Sequence, residues 1–405
     1  MHLIALHCYY GLRSNYGHVA RAWSVLIIAL LSLTMIMASP AIASANYSAA
    51  VIDANSGQIL ITRQANKRRP PASLTKMMTA LVAYDQLTLK EIVTVGNYKP
   101  QPDEQQLGLL EGEQILGNDL LKAALISSAN DAAVALSDAN GDRGQFLEEM
   151  NSRAKKIGLS NTHFKHPAGM DTAGQYTSAL DMAFLGQQLM LNPDLANMVS
   201  MKDAWLLSST KPHYITSTNH LLGGPTNGIK TGYTDQANFS VVSSTQQGKR
   251  HVITAVLGAP NSEKRFALAS SLASRGLALI KPRQISSEGE TLATIPVLYN
   301  NSVELHLKQS IVIWTASNAP VRGMLVNLPE KLEGPLSKGT RVGKVEFMMS
   351  GKKIAESPLF LANSISAPSA WQSIFFKMPL LPLLIILLIS TIFYHNRRQK
   401  TNKKY

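Results

Sequence analysis

The spacing of apolar positions divides residues 46–366 into a helical middle, strands on either side of it and a β-rich end. The short apolar runs 49–52 and 59–62 are separated by an Asn-Ser-Gly turn, which predicts two strands joined by a tight connection. Four later stretches repeat their apolar residues every three or four positions, as one face of a helix does. They cover 74–82, 116–139, 144–157 and 178–190.

Strand-like runs return after the helical stretches, and a long amphipathic stretch closes this part of the chain. The strands are predicted at 228–232, 239–243 and 252–257, and the helix at 263–280. Strands that enclose a helical middle predict an α/β domain over residues 46–283. From 284 to 366 the pattern changes to short alternating runs separated by turn clusters. This alternation, as at Val303, Leu305 and Leu307, predicts a small all-β module.

The first 45 residues have the pattern of an export signal. The uncharged apolar run 23–38 follows a basic leader. It precedes small residues at the spacing of a cleavage site, Ala41, Ala43 and Ala45. We therefore predict a secretory signal peptide over residues 1–45, with cleavage after Ala45. Cleavage after Ala43 and an uncleaved anchor are the alternatives.

A second apolar run lies near the other end of the sequence. Residues 374–394 contain one charge, Lys377, over nearly the length that a helix needs to cross a bilayer, and the basic residues 395–405 follow. Because basic flanks stay on the cytoplasmic side, the tail is predicted to be cytoplasmic and the preceding domains to lie outside. Pro379 and Pro382 interrupt the run, so a helix lying in the membrane interface is the alternative.

Composition limits the classes of protein that fit these segments. The 405 residues are 45% hydrophobic and 16% charged, which excludes a disordered chain. Seven of the thirteen excess positive charges flank the two apolar runs and an eighth, Lys377, lies within one of them, so their placement indicates a membrane and not a nucleic-acid partner. The single cysteine, Cys8, excludes a disulfide framework and a cysteine-based zinc site.

Candidate chemistry begins with a serine and a lysine three residues apart. Ser73 and Lys76, in Ser-Leu-Thr-Lys, would share one face of a helix. An amine kept neutral in that position can take the serine proton and activate the hydroxyl as a nucleophile. Three other serine–lysine pairs in the chain have the same spacing, so this pair alone carries little weight.

Two further motifs follow in order. Ser-Ala-Asn at residues 128–130 begins 55 residues after Ser73, and Lys-Thr-Gly at residues 230–232 occurs once in the chain. The ordered set Ser-x-x-Lys, Ser-x-Asn and Lys-Thr-Gly is typical of the penicillin-recognising acyl-serine enzymes, in which a serine attacks a strained or terminal amide.

With these motifs the sequence resembles the low-molecular-mass penicillin-binding proteins of the D-alanyl-D-alanine carboxypeptidase type. The matching stretches are PASLTKMMTALVAYD, SSANDAAVALSDANGD, GLSNTHFKHPAGMD and NGIKTGYTDQANFS, with Arg265 downstream. The resemblance covers about residues 46–366. It implies an α/β fold in which a β-lactamase/transpeptidase-like domain, an antiparallel sheet with a helical subdomain, precedes the small all-β module.

The resemblance also implies roles for the motif residues. Ser73 is expected to be the acylated nucleophile and Lys76 its proton acceptor. Ser128 and Lys230 are expected to complete a proton-relay and electrostatic network, in which the Lys230 charge helps to keep Lys76 neutral.

The other implied site residues contact the substrate. Asn130 is expected to bind the substrate amide, while Thr231 and Arg265 bind its terminal carboxylate, for which the guanidinium fork is geometrically suited. Gly232 belongs to the same substrate-binding segment. The backbone N–H groups of the nucleophile and of Tyr233 are expected to form the oxyanion hole. Family members often have histidine at the position of Tyr233, which affects side-chain tuning and not the backbone donors.

The implied function is removal of the terminal D-alanine from peptidoglycan stem pentapeptides in the bacterial cell envelope, with β-lactams as covalent inhibitors. The catalytic domain would lie on the periplasmic side of the cytoplasmic membrane. No metal or organic cofactor is implied, because His163 and His166 lack an accompanying carboxylate pattern. A structural role is therefore predicted for both histidines.

Three alternatives share some or all of these motifs. A β-lactamase of this motif class commonly uses a glutamate between Ser-x-Asn and Lys-Thr-Gly to activate the water that hydrolyses the acyl-enzyme. Residues 151–262 contain no glutamate, which argues against this alternative. A D,D-endopeptidase acting on cross-links shares all three motifs, although the β module favours the carboxypeptidase. A sensor that is acylated without turnover is the non-catalytic alternative.

Overall fold

The fold is given by a computed structural model that describes residues 46–101, 103–298, 301–370, 372 and 381–401. The predicted signal peptide, residues 1–45, lies outside the described residues. So do residues 374–380, which begin the predicted membrane segment, and residues 402–405 of the basic tail.

The described residues form eight α-helices and sixteen strands. The helices are α1 (Lys76–Gln86), α2 (Gly117–Lys122), α3 (Asn130–Asp138), α4 (Arg143–Lys156), α5 (Ala179–Met190), α6 (Pro193–Ser200), α7 (Ser262–Leu279) and α8 (Leu381–Thr401). The strands up to α7 are β1 (Ser48–Asp53), β2 (Ile59–Arg63), β3 (Ile92–Thr94), β4 (Gln114–Leu116), β5 (Asp203–Leu206), β6 (His213–Thr216), β7 (Thr226–Gly232), β8 (Phe239–Gln247) and β9 (Arg250–Ala259). The later strands are β10 (Lys281–Ser286), β11 (Thr291–Pro296), β12 (Ser302–His306), β13 (Ile311–Thr315), β14 (Val321–Val326), β15 (Arg341–Met349) and β16 (Lys352–Leu361).

The first domain is an antiparallel sheet with helices on both faces. Its strand order is β2-β1-β9-β8-β7, so β7 is an edge strand. Successive side chains of a strand point to opposite faces, and β1 shows the result. Ala49 and Val51 pack in a cluster with α7, whereas Ala50 and Ile52 join the larger core shared with the helical middle.

The second domain is the predicted all-β module. Its five-stranded antiparallel sheet has the order β11-β12-β16-β15-β14 and its own apolar core. Strands β10 and β13 form a separate pair directly after α7. Trp314 of β13 packs against the cluster between α7 and the first sheet, so this pair joins the two domains. The predicted fold class, an antiparallel sheet with a helical subdomain followed by a β module, is confirmed.

The predicted helix over 116–139 is wrong in its continuity. Helix α2 passes into a π-helical turn, Ala123–Ser127, and Ser128 then adopts the left-handed conformation with φ of +66°. That conformation ends the helix, and α3 starts afresh at Asn130. The apolar spacing concealed the break because the residues on both sides of it are buried in the same core.

The structure also differs locally in the hairpins and around Ser73. Two short hairpins, β3–β4 and β5–β6, were not predicted, and their strands have only three or four residues each. Ser73 was expected to lie on the same helix as Lys76. It lies instead in a 3₁₀ turn, Ala72–Thr75, that precedes α1.

Helix α8 contains part of the segment that the sequence predicts as a membrane span. Its large apolar side chains between Leu383 and Tyr394 are exposed, by 41% to 74%. Among the helices in the described part of the chain, none is both long enough and apolar enough to cross a membrane.

Candidate active site

The 3₁₀ turn that carries Ser73 is held by two glycines. A Cβ added to Gly169 would lie 1.9 Å from the carbonyl oxygen of Ala72, and one added to Gly232 would lie 3.3 Å from the backbone nitrogen of Ser73. Ala72 itself has a positive φ of 47°. The segments that contain Gly169 and Gly232 thus approach the backbone of the turn more closely than a side chain at either position would allow. This close packing fixes the direction of the serine hydroxyl.

Lys76 begins α1 and is completely buried. Its Nζ lies 2.9 Å from Ser73 Oγ. The same nitrogen donates to Asn130 Oδ1 at 2.6 Å and to the carbonyl oxygen of Ala168 at 2.9 Å. Three segments distant in sequence therefore meet at one amine.

Burial lowers the pKa of Lys76 from 10.5 to about 7. The negative charges of Glu104 and Asp131 raise this pKa and so partly oppose the effect of burial. Burial is the largest cause of this low pKa, whereas the charge of Lys230, expected to help to keep Lys76 neutral, is not among its causes.

Ser128 and Asn130 reach the site because the chain turns sharply between α2 and α3. The left-handed Ser128 is 4% exposed and borders the same cleft as Ser73. Asn130 presents its carbonyl oxygen to Lys76, while its amide nitrogen donates to Glu104 Oε2 at 2.9 Å and faces Met170 Sδ at 3.3 Å.

Lys230 lies on β7 and is 1% exposed. Its Nζ donates to the carbonyl oxygen of Thr231 at 3.0 Å. Burial, followed by the charges of Lys76 and Arg265, lowers the pKa of Lys230 well below its usual value. Within the described residues no hydrogen bond joins the Lys230 amine to Ser128 or to Lys76, although the charges of Lys230 and Lys76 interact.

The end of β7 supplies Thr231, Gly232 and Tyr233. The Thr231 hydroxyl is 2.6 Å from that of Thr218, which lies in the segment of the chain before β7. The ring of Tyr233 is 50% exposed, packs 4.4 Å from that of Phe239, and its hydroxyl donates to an aspartate two residues later.

Arg265 is a buried cation without an anionic partner among the described residues. Its Nη1 donates to the carbonyl oxygens of Gly232 and Ser240 at 3.3 and 3.4 Å, and its Nη2 donates to Ser262. Its Nε has no hydrogen-bond partner there. Burial lowers the pKa of Arg265 to about 10, which leaves it charged at neutral pH. A buried guanidinium of this kind suits an incoming carboxylate.

These residues surround one cleft with a volume of about 490 Å³. Seven of the nine predicted site residues border it, namely Ser73, Ser128, Asn130, Thr231, Gly232, Tyr233 and Arg265. Lys76 and Lys230 are buried beside it. The Ser73 hydroxyl in this cleft thus lies next to the Lys76 amine, whose pKa is lowered, and the Arg265 guanidinium borders the same cleft.

Sequence reasoning missed several residues of the cleft, above all Glu104, Thr218 and Met170. Glu104 lies in a polar segment without periodicity or a recognised motif, so the sequence carried no signal for it. Thr218 belongs to a second Ser-x-Asn triplet, 217–219, whose threonine sits against the Lys-Thr-Gly segment.

Of the two histidines considered as a metal pair, His166 lies close to Lys76 and His163 packs against the ring of Tyr176. Burial, with the charges of Lys76 and Arg143, lowers the pKa of His166 to about 4, so it is neutral at physiological pH. Its Nδ1 accepts a hydrogen bond from the backbone of Ala168. The described residues contain no cluster of three or more groups that could hold a metal ion.

Comparisons with known proteins identify the same family over most of the chain. Residues 34–261 match the family model for D-alanyl-D-alanine carboxypeptidase, and residues 281–367 match that for the C-terminal domain of penicillin-binding protein 5. The D-alanyl-D-alanine carboxypeptidase DacA of Escherichia coli is 32% identical over 350 residues, covering 82% of this chain and 86% of that protein. DacF of Bacillus subtilis is 28% identical over 325 residues, 77% of this chain and 84% of that one.

A solved structure agrees with these matches. Penicillin-binding protein 5 from Haemophilus influenzae is 30% identical, with a TM-score of 0.57, and the match covers 79% of this chain and 97% of that one. The resemblance predicted from the three motifs is confirmed, and the chain belongs to the D-alanyl-D-alanine carboxypeptidase family.

Proposed function

We propose that this protein is a serine carboxypeptidase that removes the terminal D-alanine from peptidoglycan stem peptides through an acyl-enzyme at Ser73. The observation that carries the proposal is the Ser73 hydroxyl 2.9 Å from a fully buried Lys76 whose pKa is about 7. At neutral pH a large fraction of that amine is unprotonated and can act as a base.

Acylation begins when Lys76 takes the Ser73 proton and Ser73 Oγ attacks the carbonyl carbon of the last peptide bond. The oxyanion that forms is stabilised by the backbone N–H groups of Ser73 and Tyr233. The bond to the terminal D-alanine then breaks, and its nitrogen receives the proton held by Lys76 by way of the Ser128 hydroxyl. Water hydrolyses the ester and restores the free serine.

The remaining cleft residues orient the substrate. Arg265 and Thr231 bind the terminal carboxylate, since this guanidinium is buried, charged and has an unpaired Nε. Asn130 binds the peptide amide, the Lys230 amine is held against the carbonyl oxygen of Thr231, and Gly232 leaves room for the backbone of the nucleophile. β-Lactams react with the same hydroxyl and form a slowly hydrolysed adduct.

The test is release of D-alanine from a peptide that ends in D-Ala-D-Ala, using the purified wild-type protein and its Ser73→Ala variant. We expect release by the wild type and none by the variant. Fluorescent penicillin should label the wild type alone. Labelling of Ser73→Ala would show that another residue is the nucleophile.

Two related enzymes are distinguished by the same preparation. Cleavage of cross-linked muropeptide dimers without release of terminal D-alanine would identify an endopeptidase. Rapid hydrolysis of penicillin would identify a β-lactamase, whereas labelling with neither activity would identify a sensor.

The protein is further proposed to be exported and held at the outer side of the cytoplasmic membrane by its C-terminal segment. The apolar run 374–394, the exposed apolar side chains of α8 and the basic residues after it support this location. Deletion of residues 374–405 should move the protein from the membrane fraction to the periplasmic fraction. An unchanged membrane fraction would contradict the proposed anchor.

A further inference from the structure

Glu104 stands at the end of a chain of contacts that leads to the proposed base. Tyr98 donates its hydroxyl proton to Glu104 Oε2 at 2.6 Å. Asn130 Nδ2 donates to the same oxygen at 2.9 Å, and Asn130 Oδ1 accepts from Lys76 Nζ at 2.6 Å. The carboxylate thus contacts one end of an amide whose other end contacts the amine.

The segment that carries Glu104 is firmly held. Residues 107–109 donate three consecutive backbone N–H groups to the buried carboxylate of Asp131. The backbone nitrogen of Asn130 donates to the carbonyl oxygen of Gln105 at 2.7 Å, and that of Gln101 donates to Glu104 Oε1 at 3.1 Å. The carboxylate therefore does not have to be ordered when substrate arrives.

A carboxylate fixes the direction of the Asn130 amide because an ionised carboxylate only accepts hydrogen bonds. Burial alone would raise the pKa of Glu104, but hydrogen bonds from Tyr98, Asn130 and the backbone of Gln101 lower it overall. Glu104 is therefore ionised at neutral pH. The amide nitrogen of Asn130 must face it, and the amide oxygen must face Lys76.

This direction matters because a neutral amine has two N–H groups and one lone pair. Two of the three groups around Lys76 Nζ, Asn130 Oδ1 and the carbonyl oxygen of Ala168, can only accept. The lone pair is then left for the third, Ser73 Oγ, at 2.9 Å. A flipped Asn130 amide would present an N–H to that lone pair and compete with the serine proton.

The charge of Glu104 acts on the same amine. The charged and titratable groups that influence or are influenced by Lys76 come from four segments: Glu104, Asp131 at the start of α3, His166, and Lys230 on β7. The two carboxylates raise the pKa of Lys76, and His166 is neutral above its pKa of about 4. Loss of the Glu104 charge therefore lowers the pKa of Lys76 further.

We propose that Glu104 is a positioning residue of the acylation step, which holds the Asn130 amide so that the Lys76 lone pair faces Ser73 and places a negative charge beside that amine. The inference rests on the proposed function, since it assigns Lys76 as the base. It adds to the three motifs a residue that lies outside all of them.

The experiment compares the pH profile of acylation by fluorescent penicillin in the full-length protein and three variants. Glu104→Gln keeps an oxygen that can accept from Asn130 but removes the charge, so the acidic limb of the acylation pH profile should move to lower pH by about half a unit. Glu104→Ala removes the oxygen as well as the charge, and the acylation rate of this variant at pH 7 should fall about tenfold. Asp103→Asn is the matched control, because Asp103 is an exposed carboxylate bordering the same cleft without a hydrogen bond to Asn130. Its profile should match that of the wild type.

A Glu104→Gln profile that superposes on the wild-type profile overturns the proposal, and so does a Glu104→Ala variant that acylates at the wild-type rate. Thermal unfolding of each variant separates a loss of fold from a loss of positioning, and Glu104→Gln gives the result if Glu104→Ala does not fold. Failure of the proposed function itself would be visible separately, as wild-type protein that is not acylated or a Ser73→Ala variant that still is.

Discussion

The proposed base works through burial more than through neighbouring charge. Lys76 accepts a proton from Ser73 only when its amine is neutral, and its pKa is about 7. The rate of acylation by penicillin should therefore rise with pH between about 6 and 8 and level off above that range. Stopped-flow or gel-based acylation rates across pH 5–9 measure this.

The Lys76→Arg variant is the control for that profile. A guanidinium stays protonated throughout this range, so acylation should fall by about 1,000-fold at every pH. A variant that retained the wild-type rate would rule out Lys76 as the proton acceptor.

Acylation is predicted to require Gly232 because this residue has no side chain. A Cβ there would meet Ser73 N and Ala72 Cβ at 3.2 to 3.3 Å, so Gly232→Ala should displace the nucleophile and slow acylation about tenfold. Gly224→Ala is the matched control, because nothing lies within 4 Å of its added Cβ. Equal acylation rates for the two variants would contradict this interpretation.

At the residue scale, the sequence revealed those functional positions that belong to short motifs. Ser73, Lys76 and Asn130 were predicted from their spacing and from resemblance, and the structure brings them into contact. Glu104 and Thr218 were not, since their positions beside the cleft arise from how distant segments fold together. The sequence could not show how deeply Lys76 is buried, because burial is a property of the packed core.

The junction between α2 and α3 determines where the second motif lies. Asp131, in the first turn of α3, accepts three N–H groups from residues 107–109 and so holds the segment that carries Glu104. Asp131→Asn would turn an N–H group toward those donors. We expect unfolding free energy to fall by about 3 kcal/mol and acylation to slow, as measured by denaturant titration and penicillin labelling.

Asp138→Asn, at the other end of α3, is the control for this prediction. Asp138 pairs with Arg143 at a partly exposed position, so its loss should reduce the unfolding free energy by less than about 1 kcal/mol. Similar losses in the two variants would indicate that Asp131 does not have a special role in holding the segment.

The pattern of apolar residues predicted helices and long strands well and local breaks poorly. The spacing over 116–139 continues across Ser128 because both sides of the break pack into the same core. The hairpins β3–β4 and β5–β6 are too short for an alternation to be visible. Both errors have one origin: a periodic pattern reports which face is buried and not whether the backbone is continuous.

The two domains are joined by packing as well as by sequence. Trp314 of the β module contacts the apolar cluster between α7 and the first sheet and is not among the residues that border the cleft. Trp314→Ala should therefore lower the unfolding free energy by about 2 kcal/mol while leaving the acylation rate unchanged. Val312→Ala, at an exposed position of the same strand, should alter neither, and a lowered acylation rate in Trp314→Ala would show that the module influences the cleft.

The burial of Lys76 and Lys230 has a consequence for the stability of the whole molecule as the pH falls from alkaline to neutral. In the unfolded chain a lysine keeps its proton up to about pH 10.5. In the folded protein Lys76 releases its proton near pH 7. Between these two values the unfolded state binds more protons, so stability rises with pH by up to about 1.4 kcal/mol per unit for each such amine.

Lys76→Met removes one of these amines and should flatten the increase in melting temperature between pH 7 and 9. An equal slope in wild type and variant would contradict the linkage. The same burial that makes Lys76 a base at neutral pH therefore leaves the native state less stable at neutral than at alkaline pH. Below about pH 7 this contribution no longer changes, because the amine is protonated in the folded and the unfolded state alike.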